Sequence, residues 1–365
     1  MAKTGFEWGA VMKGRGATAN PASRFLHRRS EGVSDGWEAE SGGGEDSGPQ
    51  RVPTELLADR TRQLITRNRS PDIPFDRSIN PYKGCEHGCV YCFARPTHAY
   101  LDLSPGIDFE TRIFYKTGVR ERLMDELSRP GYQCRIMAMG TNTDPYQPAE
   151  RDLMVTRRVL EVLLECRHPV SIVTKGQLVL RDLDLLAALA EQGLASVSVS
   201  LTSLDVDLKT RLEPRAAGPS ARLRVIERLT AAGVPTGVMV APVIPFLNDH
   251  EIEAMVAAAA AAGARQAGYI LLRLPHEVKD LFRAWLDAHY PLKAERIMSA
   301  IRASRGGKDY DAAWGRRMRG EGPIAELIGR RFAAAVKRHG LNAGDRPALR
   351  TDLFRPPGGG QMALL

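Results

Sequence analysis

The sequence has few of the features that mark a membrane or secreted protein. The first thirty residues contain no apolar block behind a basic start, so no secretory signal is predicted. The longest uncharged stretch, Leu229–Asn248, is interrupted by three prolines, which argue against a spanning helix because proline breaks helical hydrogen bonding. We therefore expect a cytoplasmic protein with no membrane segment.

Cysteine is also scarce. The 365-residue chain has five cysteines, and a cytosolic protein keeps them reduced, so a disulfide framework is not expected. Three of the five lie within the eight-residue run C-E-H-G-C-V-Y-C, at Cys85, Cys89 and Cys92. In a reducing compartment such a concentration of thiols indicates metal binding or catalysis.

Acidic residues are fewer than basic ones. The chain has 51 Lys and Arg against 43 Asp and Glu, a net charge of +8, which favours anionic partners such as nucleic acid.

After about residue 290 the pattern is helical and strongly basic. A solvated helix face is the default explanation for such a run, and a nucleic-acid surface is the alternative. The run contains Arg316, Arg317, Arg319, Arg330, Arg331, Lys337 and Arg338.

The first part of the chain has no sustained hydrophobic periodicity. Residues 1–70 are predicted to be a largely disordered arm, because glycine, serine and charge dominate its first fifty residues. Two short segments, Lys13–Ala17 and Asn20–Phe25, are less random. We favour a flexible basic tail for them, and the alternative is a segment that orders against the body or against a nucleic acid. The regions that follow are predicted as a core barrel at 71–290, basic helices at 291–340 and a flexible tail at 341–365.

Six short apolar runs alternate with amphipathic helical patterns. Continuous apolar runs are typical of parallel strands buried on both faces, and strict alternation with helices predicts an α/β fold with a parallel sheet. The sheet is either doubly wound or curled into a barrel, and both place chemistry at the carboxyl ends of the strands. The runs are Phe75–Asn80, Arg135–Gly140, Val170–Lys175, Ser196–Thr202, Thr236–Ala241 and Gly268–Arg273.

The cysteine run is open to two metal chemistries. A zinc site would use Cys85, Cys89, Cys92 and His87 as a closed set of four ligands. An iron-sulfur cluster would use the three thiolates and leave one iron without a protein ligand. The second is favoured, because no further pair of cysteines or histidines follows at zinc-ligand spacing and His87 lies between two of the thiols.

The C-x3-C-x2-C spacing, with Tyr91 just before the last cysteine, resembles the cluster loop of the radical S-adenosylmethionine (SAM) enzymes. The resemblance implies a partial (βα)6 barrel of the TIM type and one 4Fe-4S cluster whose open iron chelates SAM. It also implies cleavage of SAM to a 5'-deoxyadenosyl radical and an electron donor such as flavodoxin or ferredoxin. In such enzymes the protein binds and orients the cofactor and the substrate, and the cofactor carries out the difficult chemistry.

Four later motifs resemble the branch that contains spore photoproduct lyase and its "DNA repair photolyase" relatives. They are T-D-P-Y-Q-P from Thr143, V-T-K from Val173, L-E-P-R from Leu212 and V-A-P-V-I from Val240. The branch implies a DNA-repair-like role, a nucleic acid as the favoured substrate, and two groups of residues at the cofactor. Lys175, Ser200 and Arg215 would hold the polar end of SAM, and Thr141, Asn142 and Asp144 would face the adenosyl group or the substrate.

Each of these assignments has a structural alternative. Lys175 would otherwise be a surface charge, Arg215 the partner of a salt bridge in its loop, and the polar run before Pro145 an ordinary turn. In the lyase a cysteine just after the second strand returns a hydrogen atom to the product. The matching segment Ala138–Asp144 has none, so thymine-dimer reversal by that route is not expected.

The other cysteines do not replace that donor. Cys134 and Cys166 are predicted to be inert thiols, because a reactive cysteine needs an exposed, activating site. Tyr91 and Tyr146 remain the candidate replacements.

The last five residues, Gln361–Leu365, follow a glycine spacer and resemble the peptide by which bacterial repair proteins dock on the replication sliding clamp. A frayed C-terminus is the favoured alternative. Taken together, the sequence predicts a radical SAM enzyme of unresolved reaction type. The rival interpretation is a non-catalytic zinc or iron-sulfur module that docks on DNA.

Overall fold

The computed structural model describes residues 11–25, 52–344 and 348–358. Gln361–Leu365 and much of the predicted arm lie outside these ranges. The described residues form ten strands. They are β1 (Glu55–Asp59), β2 (Ile65–Arg67), β3 (Arg77–Ile79), β4 (Tyr82–Lys83), β5 (Arg112–Lys116), β6 (Met137–Met139), β7 (Val170–Thr174), β8 (Ala195–Leu201), β9 (Thr236–Val243) and β10 (Gln266–Leu271).

The larger sheet has the order β10-β9-β8-β7-β6-β3-β2. In this sheet β3, β6, β7, β8, β9 and β10 are parallel neighbours in chain order, with Ile79 opposite Met139 and Met139 opposite Ile172. Strand β2 adds an antiparallel edge. Each of the six predicted runs overlaps one of these six parallel strands, and the bounds differ by one or two residues for β8, β9 and β10. The predicted α/β fold with a parallel sheet of the partial-barrel type is confirmed.

Helices cover the outer face of this sheet. The longer ones are amphipathic, and α7, for example, buries Val225, Ile226 and Leu229 in the main core. The helices are α1 (Ile107–Thr111), α2 (Val119–Ser128), α3 (Glu150–Leu153), α4 (Val155–Glu165), α5 (Leu183–Glu191), α6 (Val206–Leu212), α7 (Pro219–Ala231), α8 (Ile252–Ala261), α9 (Val278–His289), α10 (Pro291–Ala303), α11 (Arg316–Arg319) and α12 (Gly322–Arg338). No helix among the described residues is both long and apolar enough to cross a bilayer.

Parts of the predicted N-terminal arm contact the rest of the protein, which is the alternative that the sequence left open for Lys13–Ala17 and Asn20–Phe25. Residues 11–25 lie against the body with Ala17 and Ala19 fully buried, and β1 pairs in parallel with β5 in a second sheet of order β1-β5-β4. Their hydrogen-bonding partners lie far along the chain. Composition in a short window does not report such partners.

The basic run after residue 290 is largely engaged within the protein. Arg317 pairs with Asp72, and Arg331 donates to Glu253 through two hydrogen bonds of 2.8 and 2.7 Å. The guanidinium of Arg319 lies 4.1 Å from the centroid of the Tyr269 ring. These contacts occupy three of the seven basic residues, and the choice between a solvated helix face and a nucleic-acid surface stays a prediction.

The edge strand β10 is protected by α12, which packs on it and on α8. Phe332 of α12 is buried and its ring centroid lies 4.7 Å from that of Tyr269 in β10. We expect Phe332→Ala to lower the free energy of unfolding by about 3 kcal/mol, as for other buried aromatic truncations. Leu327→Ala, on the exposed face of the same helix, is the control and should change stability little. Equal midpoints for the two variants in thermal unfolding would contradict the packing described.

Candidate functional site

The cysteine loop follows β3 and β4 at the carboxyl edge of the parallel sheet. Its backbone is held by partners from distant segments: Cys85 N donates to Phe109 O at 2.9 Å, and Val90 N donates to Leu212 O at 3.1 Å. Gly88 turns the chain with a φ of +68°, a conformation that glycine adopts without steric cost. Residues from the body of the protein therefore hold the backbone of this loop.

The three thiols of this loop lie close enough to influence one another. Cys85 and Cys89 are buried and Cys92 is half-buried. Burial raises the pKa of Cys85 well above its ordinary value, and the neighbouring Asp144 and the other two thiols add to the rise. Burial, and then the Glu213 carboxylate, raise the pKa of Cys89 to about 12. Three thiolates here need positive charge among them, which bound iron supplies, so the donor set fits an iron-sulfur group.

The histidine of the loop does not join the thiols. His87 Nδ1 lies 3.4 Å from Asp144 Oδ2. Within the described ranges, no three His, Cys, Asp or Glu side chains converge as the ligands of one metal ion. In a four-iron cluster each thiolate binds a different iron, so that convergence is not required.

Asp144 connects the loop to two strand ends. Its oxygens accept hydrogen bonds from Thr174 Oγ1 and Lys175 N, each at 2.7 Å, and from Tyr146 N at 2.9 Å. Burial opposes its charge, but His87 and these donors hold the pKa of Asp144 at about 2. The carboxylate is thus engaged by the protein, and its predicted contact with the adenosyl group or the substrate stays a prediction.

Thr141 and Asn142 lie in the same turn after β6. Asn142 N donates to Asn80 Oδ1 at 3.1 Å, and Thr141 Oγ1 lies 3.5 Å from the same oxygen. Both side chains are half-buried at the end of the sheet. Their position agrees with either a ligand-facing role or an ordinary turn.

Glu213 is the centre of a buried network that the sequence did not predict. Its carboxylate accepts from Arg222, from the Tyr91 hydroxyl, and from Thr202 Oγ1 at 2.6 Å. Burial opposes ionisation, yet Arg222 and then Lys175 hold the pKa of Glu213 at about 2. The motif L-E-P-R contained this glutamate, but its partners come from other strands and helices.

Lys175 extends from the end of β7 into this network. Its Nζ lies 3.9 Å from Glu213 Oε1 and 5.9 Å from the centroid of the Tyr91 ring. Its positive charge partly offsets the rise in the pKa of Cys89 that burial and Glu213 cause. The side chain is 18% exposed, so it is not a free surface charge. The structure therefore brings Lys175 to the cysteine loop.

The two other residues predicted to hold SAM are placed differently from each other. Ser200 is buried near the end of β8, and its carbonyl accepts from Arg222 Nη1 at 3.0 Å. Arg215 pairs with Glu86 Oε1 at 3.0 Å, beside the first cysteine. Arg215 thus makes the loop salt bridge that was its structural alternative.

The remaining thiols lie away from the loop. Cys134 precedes β6 and Cys166 follows α4, and burial raises the pKa of each to about 11. Thiols with such pKa values stay protonated at neutral pH, as expected of inert cysteines.

Exposed aromatic rings with arginines against them occur at the same edge of the sheet. Phe93, directly after the third cysteine of the loop, is 41% exposed, and the Arg273 guanidinium lies 4.6 Å from its ring centroid. Phe246, in the loop after β9, is also 41% exposed, and Arg296 lies 4.1 Å from its centroid. Sequence reasoning missed both pairs, because their partners are remote in the chain.

Comparisons with known proteins agree with this architecture. The family model of the radical SAM superfamily matches residues 79–259. An uncharacterized protein of Mycobacterium tuberculosis is 41% identical over 232 residues, which are 63% of this chain and 68% of the relative. An uncharacterized protein of Methanocaldococcus jannaschii is 27% identical over 197 residues, 54% of this chain and 71% of the relative.

Solved structures of spore photoproduct lyase share the fold. One of them, complexed with dinucleoside spore photoproduct, matches with a TM-score of 0.51 and 15% identity over 78% of this chain and 80% of that chain. A variant of the lyase with bound AdoMet and the same dinucleoside matches equally, with a TM-score of 0.51. At this identity the likeness concerns the fold alone.

The Glu213 network yields a stability prediction. Glu213→Gln removes the counter-charge of the buried Arg222, so we expect the free energy of unfolding to fall by about 3 kcal/mol. Glu227→Gln, at an exposed position of α7, is the matched control. Denaturant unfolding measures the free energy of unfolding of both variants. If the two unfolding curves coincided, the Glu213–Arg222 ion pair would not contribute to stability.

Proposed function

This chain belongs to the radical SAM superfamily, whose enzymes use a 4Fe-4S cluster and SAM, and we propose that Cys85, Cys89 and Cys92 hold that cluster here. The observation that carries the proposal is the single loop in which three thiols, two buried and one half-buried, lie together at the carboxyl edge of a parallel sheet. When bound, the group supplies the electron that cleaves SAM to methionine and a 5'-deoxyadenosyl radical.

We assign the chain's own polar residues to binding and positioning. Lys175 presents a cation at a strand end beside the loop, which suits the carboxylate of SAM, and Ser200 lies at the end of the next strand. Arg215 acts on the loop through Glu86, and Asp144 acts through His87. Thr141 and Asn142 are proposed to face the adenosyl group or the substrate.

The carboxyl edge of the parallel sheet, where the cysteine loop lies, presents side chains that suit a nucleic acid as substrate. Phe93 and Phe246 offer exposed rings for stacking, and Arg273 and Arg296 add cations beside them. Unpaired bases stack on aromatic side chains while arginines attract the phosphate backbone. The segment Ala138–Asp144 holds no cysteine, so the proposal does not include dimer reversal with a cysteine donor at that position.

The cluster ligands are tested by anaerobic reconstitution with iron, sulfide, SAM and a reductant. The wild type is expected to form 5'-deoxyadenosine, and Cys89→Ala is expected to form none, because one iron loses its thiolate. Cys134→Ala is the control and should retain product formation. If the wild type held zinc tightly and did not cleave SAM, the enzyme proposal would be refuted. The rival interpretation, a non-catalytic module that docks on DNA, would then be favoured.

The substrate class is tested by the affinity of reconstituted protein for single-stranded and duplex DNA at several salt concentrations. Phe93→Ala and Phe246→Ala should each weaken single-strand binding by about 1–3 kcal/mol, the value of one base stacked on an aromatic ring. Leu292→Ala, a fully exposed apolar residue of α10, is the control. Affinity that is absent or unchanged by salt would point to a protein or small-molecule substrate.

A further inference from the structure

Residues 12–25 form an ordered segment, here called the strap, outside the region that the family model matches. Ala17 and Ala19 are fully buried and form a small core with Ile107 of α1 and Leu281 of α9. The Asn20 side chain accepts from Ile107 N at 2.8 Å, at the start of α1. The strap is therefore docked on the body along its length.

The strap meets the cysteine loop backbone to backbone at Gly16. A Cβ on Gly16 would lie 1.7 Å from the carbonyl oxygen of Gly88 and 2.9 Å from its carbonyl carbon. Val90 N would lie 3.3 Å from the same atom. No side chain fits at position 16 unless the strap or the loop moves, so this approach requires glycine.

A buried carboxylate joins the strap to the backbone of the second cysteine of the loop. Glu110 accepts from Gly16 N at 3.0 Å and from Ala17 N at 2.8 Å, and it pairs with Arg95. Arg95 Nε in turn donates to the carbonyl of Cys89 at 2.9 Å. Glu110 and Arg95 are both fully buried, so their charges depend on this partnership.

A second connection runs from the strap to the residue that follows the first cysteine. Arg15 donates to Glu110 O at 2.8 Å and to Thr54 Oγ1 at 3.1 Å. The Thr54 hydroxyl donates to Glu86 Oε1 at 2.7 Å, and Glu86 directly follows Cys85. The strap thus reaches Glu86, next to the first cysteine, through Thr54. It reaches the backbone carbonyl of the second cysteine through Glu110 and Arg95.

We propose that the strap is a positioning element for the iron-sulfur cluster, with Gly16 and Arg15 fixing the loop backbone that presents the thiols. The inference rests on the cluster proposed above and extends it to a segment outside the residues that the family model matches. Partners that orient metal ligands typically contribute 10- to 100-fold to metal affinity. Loss of the strap contact should therefore loosen the cluster before it unfolds the barrel.

The test compares full-length variants after anaerobic reconstitution. Iron release to a chelator and the electron paramagnetic resonance spectrum of the reduced cluster, with and without SAM, are the readouts, and thermal unfolding reports the fold. Gly16→Ala and Arg15→Gln should release iron about tenfold faster than the wild type or more, with an altered spectrum, as expected of lost ligand positioning. Arg24→Gln is the matched control in the same strap, because its pair with Glu277 is partly exposed.

The outcomes separate the two proposals. If the wild type holds a four-iron cluster and both variants keep its iron and spectrum, the positioning role is refuted and the proposed function stands. If thermal stability falls but the cluster is unchanged, the strap is merely structural, which also overturns the inference. If the wild type forms no such cluster, the proposed function itself fails, and the inference fails with it.

Discussion

The structure depends on keeping an irregular, thiol-bearing loop in one conformation inside the protein. A buried loop cannot satisfy its backbone polar groups by regular pairing, and each unsatisfied group is costly. Gln147 shows the solution: its side chain accepts from Glu86 N at 2.9 Å and donates to Gly84 O at 3.2 Å. Phe109 and Leu212 supply further partners. Residues from several distant elements therefore hold the backbone of the loop through hydrogen bonds.

Three buried carboxylates repeat this arrangement around the loop. Glu110 joins it to the strap, Asp144 joins it to the ends of β6 and β7, and Glu213 joins Tyr91 to α7 through Arg222. Burying a carboxylate is unfavourable unless cations and donors surround it, so each one constrains several neighbours at once. The result is a set of buried carboxylate contacts, which fixes geometry more than it adds stability.

Local patterns predicted the strands and the thiols, and long-range pairs escaped prediction. The six strands were found because apolar runs report burial directly, and the cysteines because their spacing lies within eight residues. The contacts of residues 11–25 could not be predicted, because the partner of Gly16 and Ala17 is Glu110, more than ninety residues away. Nothing in the motif L-E-P-R reveals that Glu213 will pair with Arg222. Glycine at 16 reads as flexibility in sequence, yet in the fold it is a steric requirement.

Net charge is a poor guide to the substrate, because the fold decides which cations remain available. Several arginines of the basic C-terminal run are paired with carboxylates such as Asp72 and Glu253. By contrast, Arg273 and Arg296 lie against exposed rings at the edge of the sheet where the thiols are. A charge that is already paired attracts a phosphate weakly, whereas a cation beside an exposed ring can act together with stacking. Under the proposed function, specificity for an unpaired base comes from Phe93, Phe246, Arg273 and Arg296 and not from the basic composition of the chain.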